Sequence, residues 1–146
     1  MTPTPVTELF LRLALATVLG GAIGLEREYH RKPAGLRTNI LIALGSALFS
    51  VMSLEIGTAA GSSDRIAAQV VTGIGFLGAG AILHSGKDVQ GLTTAATIWV
   101  NAAIGMAAGL GSYTLSIAGA AVTVVVLALL PLVERFFERR GGGAAE

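Results

Sequence analysis

Five apolar runs divide the chain, over residues 8–25, 38–56, 66–84, 92–110 and 114–136. A helix needs roughly 20 such residues to cross a ~30 Å hydrocarbon core, so the pattern predicts an all-α bundle of five transmembrane helices. Together they make one domain over residues 1–140. The glycine-alanine end, 141–146, is expected to be disordered.

The third run carries Gly73, Gly75, Gly78 and Gly80. In water each would cost a helix about 1 kcal/mol relative to alanine, but in lipid the backbone stays helical and glycine allows close helix approach. At about 100° per residue, Gly73 and Gly80 share a face with Gln69 and His84. Gly75 and Gly78 fall on the other face with Ala79 and Ile82. Both faces are thin, which predicts a helix sandwiched at the centre of the bundle.

Polar residues extend this picture, because a polar side chain in lipid needs a partner. Asn39, Ala43, Ser46, Ser50 and Ser53 form one stripe on the second helix; Thr94, Thr97, Asn101, Gly105 and Ala108 form one on the fourth, with Trp99 turned away. The first helix groups Thr17, Gly21, Gly24 and Glu28, and its Gly20-x-x-x-Gly24 makes a close-packing notch. A seam between helices two, three and four is expected, including Gln69. Two readings fit it: interhelical hydrogen bonding, or a hydrated path or small-molecule site. Helix five is bulky and aliphatic over 122–130, the composition of a lipid-facing helix.

Charge gives the orientation. Eight of the ten basic residues (Arg27, Arg31, Lys32, Arg37, Lys87, Arg135, Arg139 and Arg140) fall in three segments on one side of a five-span topology. By the positive-inside rule the N-terminus is outside and the C-terminus cytoplasmic. The N-terminus lacks a basic region and a cleavage site, so the first helix is read as retained. Arg12, four residues after Glu8, is placed to pair with it and snorkel outward.

Composition agrees and excludes several chemistries. The chain is 53% hydrophobic and 13% charged, against about 25% charged in a soluble domain. It has no cysteine, and His30 and His84 stand without companions at ligand spacing, so no metal site or cofactor is expected. No nucleophile and base pair up, so no enzyme is expected, and no nucleic-acid partner is expected either. No carboxylate lies inside a span, which disfavours autonomous Mg²⁺ transport while leaving passage of a hydrated ion open.

The first cytoplasmic loop is the densest chemical feature. Arg27, Arg31, Lys32 and Arg37 surround Pro33-Ala34-Gly35, with Glu26 and Glu28 as counter-charge. One reading is topology plus attraction to anionic lipid; the other is a site for a phosphate-bearing ligand or an acidic partner.

Six motifs in order carry a resemblance: Gly24-Leu-Glu-Arg-Glu28, Ala34-Gly-Leu-Arg-Thr-Asn39, Arg65-Ile-Ala-Ala-Gln69, Gly73-Ile-Gly-Phe-Leu-Gly-Ala-Gly80, Gly91-Leu-Thr-Thr-Ala-Ala-Thr-Ile-Trp99 and Ala103-Ile-Gly105. The chain resembles the bacterial MgtC/SapB membrane family from about Leu9 to Leu130. The resemblance implies a bacterial inner-membrane protein with five helices, linked to magnesium limitation, acid stress and survival within macrophages. Proteins similar to MgtC are held to restrain the F-type ATP synthase. This chain stops soon after helix five, so the cytoplasmic ACT-like domain of MgtC-type members is expected to be absent and the SapB-like branch is the nearer comparison. Thr93 also stands where MgtC-type members can have asparagine, so a virulence role is not carried over.

The leading expectation is a non-enzymatic membrane regulator, homodimeric or otherwise homo-oligomeric. It would meet lipid or a partner such as the ATP synthase through Arg27, Arg31, Lys32 and Arg37, and pack through Gly20, Gly24, Gly73, Gly75, Gly78 and Gly80. The alternative is a small oligomeric channel or carrier for Mg²⁺, another ion or a phosphate-bearing solute, using Asn39, Gln69, Thr94, Thr97 and Asn101.

Overall fold

Apolar runs separated by short polar links give helices joined by tight, locally determined turns. The computed structural model describes residues 4–60, 65–85 and 88–141, and the expected disordered tail after Gly141 lies outside them. The helices are α1 (Val6–Tyr29), α2 (Leu36–Ala60), α3 (Arg65–Gly80), α4 (Leu92–Gly109) and α5 (Tyr113–Gly141). Between α3 and α4 lie two short strands, β1 (Leu83–Ser85) and β2 (Asp88–Gln90), paired antiparallel with His84 opposite Val89. Among the described residues, four helices are long and apolar enough to cross a membrane: Val6–Tyr29, Leu36–Ile56, Leu92–Gly109 and Tyr113–Pro131. The chain is a helical membrane protein.

The turns repeat one solution. After α1, Arg31 N–H donates to Glu28 O and Lys32 N–H to Arg27 O; after α4, Gly111 N–H donates to Ala108 O and Ser112 N–H to Ala107 O. Both are Schellman closures, with the pivotal residue left-handed at φ 52° for Arg31 and 79° for Gly111. A β-carbon at Arg31 makes the first closure the more strained of the two.

The third helix departs from expectation in length. It has 16 residues, about 24 Å at 1.5 Å per residue, and does not run on to His84. Ala81 N–H is shared between Leu77 O and Gly78 O, and Ile82 N–H donates to Ala79 O, so the last turn tightens and stops. The chain then enters the hairpin. It returns at Gly91 (φ 88°), where a Cβ would run into the Ala81 carbonyl. Apolarity at Ile82 and Leu83 resembles a helix continuing, but Ile82 closes the last turn and Leu83 pairs with Gln90 in the hairpin.

The sandwiched helix is α2, and this corrects the expectation that α3 is central. Ala43 and Ala47 on α2 are fully buried in one cluster with Ala16 of α1 and Ala108 of α4. A Cβ at Gly20 of α1 would stand 2.7 Å from Ala43 Cβ, and one at Gly24 would stand 2.8 Å from Leu36 Cα. A Cβ at Gly105 of α4 would stand 2.7 Å from Ala43 Cα, and one at Gly109 would stand 2.8 Å from Ala47 Cα. These separations admit only glycine, so α1 and α4 approach α2 backbone to backbone. On α3, by contrast, Gly73, Gly75 and Gly80 have nothing within 4 Å, and only Gly78 meets a neighbour, Ala95 at 3.7 Å. Glycine count does not identify the central helix; glycine facing alanine across an interface does.

The remaining helices flank this core. Ile74 of α3 joins Ile42, Ile98 and Ala102, while α5 contributes Ala120 and Leu127 to a cluster with Ile23 and Ile104. Val122, Val125 and Leu129 of α5 are exposed, in keeping with a lipid-facing helix.

A contrast of two alanines tests this arrangement. Gly105→Ala should lower the thermal unfolding midpoint in detergent, with about 1–3 kcal/mol lost as in other overpacked cores. Gly73→Ala should be neutral or stabilising by up to about 1 kcal/mol. Equal effects at the two positions would mean that α4 does not rest on α2 as described.

Candidate functional site

The link between α1 and α2 is held from within by its acidic residues. Arg27 is buried, and its Nε donates to Glu26 Oε2 at 2.5 Å. His30 Nδ1 lies 2.9 Å from Glu26 O and 3.0 Å from Glu26 Oε1. Glu28 Oε2 accepts from the Leu36 N–H at 3.1 Å, capping α2 across the turn. A Cβ on Gly35 would collide with that same carboxylate oxygen. Glu26 and Glu28 are thus committed to the turn itself. Of the four basic residues, Arg27 faces inward, correcting its expected role as an outward contact: its place in the last turn of α1 aims it at the bundle. Arg31, Lys32 and Arg37 are exposed, with no ion pair among the described residues.

Asn39 ties this turn to the core. Its Nδ2 donates to Ala34 O, a residue in the left-handed region at φ 57°, and to Gly35 O at 3.0 Å. Asn101 Nδ2 on α4 in turn donates to Asn39 O at 2.7 Å and to Asn39 Oδ1 at 3.0 Å. Both asparagines are fully buried, where such bonds hold register because the alternative is an unpaired amide. Asn101 Oδ1 has no hydrogen-bond donor among the described residues.

The other seam residues divide. Ser50 Oγ donates to Ser46 O at 2.8 Å and Thr97 Oγ1 to Thr93 O at 2.7 Å, each within its own helix. Ser46 and Thr94 are buried and Gln69 is exposed, and the hydrogen bonds that cross the seam join α2 to α4. This follows from the peripheral place of α3. The tie between α2 and α3 is instead made by Ser53, whose Oγ accepts from Ala67 N–H at 3.3 Å.

Between α2 and α3, with α4 as its floor, runs a groove of about 1040 Å³. Pro33, Ala34, Arg37 and Thr38 form its loop end; Leu41, Gly45, Ser46 and Phe49 line the α2 wall. Gln69, Gly73, Phe76, Leu77 and Gly80 line the α3 wall, and Thr94 and Ile98 the floor. It is an apolar trough with a cation at one end. Among the described residues no group of three or more histidines or carboxylates could hold a metal ion.

At the far end of the bundle, Arg12 Nε donates to Glu8 Oε1 at 3.0 Å, the pair expected from spacing. Arg12 Nη1 also donates to Gly109 O at 2.9 Å, and Tyr113 OH donates to Glu8 Oε1. These two bonds link residues about a hundred positions apart, and nothing in the sequence announces them. The same holds for Ser116 Oγ, which donates to Ile104 O at 3.0 Å.

Comparison with known proteins places this geometry. The chain is 51% identical over 127 residues to YhiD of Escherichia coli (strain K12), which carries the provisional label of magnesium transporter; the match covers 82% of this chain and 59% of YhiD. It is 46% identical over 126 residues to the uncharacterized protein slr0014 of Synechocystis sp., covering 86% of this chain and 53% of that one. With protein MgtC of Salmonella typhimurium (strain 14028s) it shares 48% over 117 residues, covering 80% of this chain and 48% of MgtC. The chain therefore spans about half the length of the curated relatives it matches. No solved structure matches it. The MgtC family profile matches residues 13–136, and the chain belongs to the MgtC family.

Proposed function

We propose that this chain is a non-enzymatic bacterial inner-membrane protein that acts in adaptation to magnesium limitation by binding and regulating another membrane protein. Its N-terminus lies outside and its C-terminus in the cytoplasm, with α3 as a short fifth span and the Arg31–Arg37 turn on the cytoplasmic side. The magnesium link is supported by family membership and by the label on YhiD. The F-type ATP synthase is the partner that the family resemblance suggests.

One observation carries the binding role: a glycine-rich helix face with no internal partner. Gly75 has nothing within 4 Å, and neighbouring Phe76 is 82% exposed. In lipid, small residues at a bare helix surface are where a second transmembrane helix approaches closely. Gly75→Leu should leave the bundle folded, since the space is open, and abolish co-purification of the partner from detergent-solubilised membranes. Unchanged co-purification would count against the proposal.

The transporter label on YhiD supports a second reading, a small oligomeric channel or carrier for Mg²⁺ or a phosphate-bearing solute. The two readings separate on flux. Purified protein in liposomes should pass no Mg²⁺ above protein-free liposomes if the regulator reading holds, and Asn101→Leu should only destabilise, by about 1–3 kcal/mol, through the unpaired Asn39. Mg²⁺ flux that Asn101→Leu abolishes would instead establish the carrier.

A further inference from the structure

We propose that the α2–α3 groove is a lipid site: it holds one acyl chain of an anionic phospholipid, whose phosphate rests on Arg37. The argument begins with length. From Arg37 to Phe49 along α2 is twelve steps of about 1.5 Å, or about 18 Å. That is close to one leaflet, half of a ~30 Å hydrocarbon core. The α3 wall is lined from Ile66 to Ala81, about 22 Å at 1.5 Å per residue, so the groove starts at head-group level and follows the length of one extended chain.

Charge supplies the head group. Arg37 and Thr38 stand at the loop end, a guanidinium and a hydroxyl suited to phosphate oxygens. Arg37 has no ion pair among the described residues, and Arg31 and Lys32 nearby are likewise exposed and without one. No carboxylate is among the described residues lining the groove. The acidic residues of the turn are already spent, Glu26 on Arg27 and Glu28 on the Leu36 N–H. The mouth is therefore net positive and the trough below it apolar, the two halves of an anionic lipid.

Shape completes the case. Gly73 faces the groove with nothing within 4 Å of where its Cβ would be, so the α3 wall is hollowed rather than filled. At about 1040 Å³ the groove is at the upper end of the ~300–1,000 Å³ typical of small-molecule sites. Gly75, invoked above for a protein partner, does not line it, although its neighbour Phe76 does, and the lipid site does not rest on the regulatory reading.

The test is native mass spectrometry of the full chain in detergent, titrated with phosphatidylglycerol or phosphatidylcholine, together with its oligomeric state in nanodiscs. The wild type should retain phosphatidylglycerol at least about tenfold more tightly than phosphatidylcholine. Arg37→Ala should erase that preference, and Arg37→Lys should keep most of it. Gly73→Leu, filling the trough in open space, should weaken retention of both lipids about tenfold while the thermal midpoint holds. Equal retention of the two lipids by the wild type overturns the proposal, as does unaltered retention in Gly73→Leu. So does efficient crosslinking of the Gly73→Cys variant to a second copy, which would assign the groove to another chain.

Discussion

The fold depends on how closely α2 is approached from both sides. Ala43 and Ala47 present backbone and methyl groups to Gly20 on α1 and to Gly105 and Gly109 on α4, at separations no side chain could occupy. Apolar side chains gain little by leaving lipid for protein, so attraction between these helices comes from dispersion at short range and from polar bonds. Close approach provides the first. It also brings Asn39 within reach of Asn101, which provides the second. The two effects share one geometry.

That geometry reaches the surface through Asn39. The same side chain that accepts from Asn101 donates to the carbonyls of Ala34 and Gly35, so the shape of the α1–α2 turn is fixed by a contact with the bundle interior. A left-handed alanine at 34 persists because these bonds over-determine it. Glu26 has the companion task. A buried guanidinium without a counter-charge would cost several kcal/mol, and its neighbour in sequence removes that cost. The turn consequently presents Arg31, Lys32 and Arg37 outward from a rigid base.

Much of this was legible in the residue pattern, and the remainder fails for identifiable reasons. Helical periodicity finds α1, α2, α4 and α5, and places Asn39, Ser46, Ser50, Ser53, Thr94, Thr97 and Asn101 on inward faces, all buried in the fold. It also finds the Gly20 and Gly24 notch and the Arg12–Glu8 pair. What it misplaces is α3. Four glycines within eight residues look like a packing hub, yet a stripe of small residues shows only that something can approach, not whether that something belongs to the same chain. Arg27 shows a related limit, because its neighbours Glu26 and Glu28 look like diluting counter-charge until the helix end fixes which way each points. Tyr113 and Glu8 meet across 105 positions of sequence, and no local pattern carries that information.

The shortness of α3 has a consequence of its own. At about 24 Å it falls short of a ~30 Å hydrocarbon core, whereas α1 and the membrane-spanning part of α2 are longer. On the proposed five-span reading, hydrophobic mismatch is greatest at α3, where the bilayer would thin to meet the helix ends. Because α3 buries only Ile74 and Gly78, little of its surface is braced against that deformation. On that reading, bilayer thickness would act on this protein chiefly through a single wall.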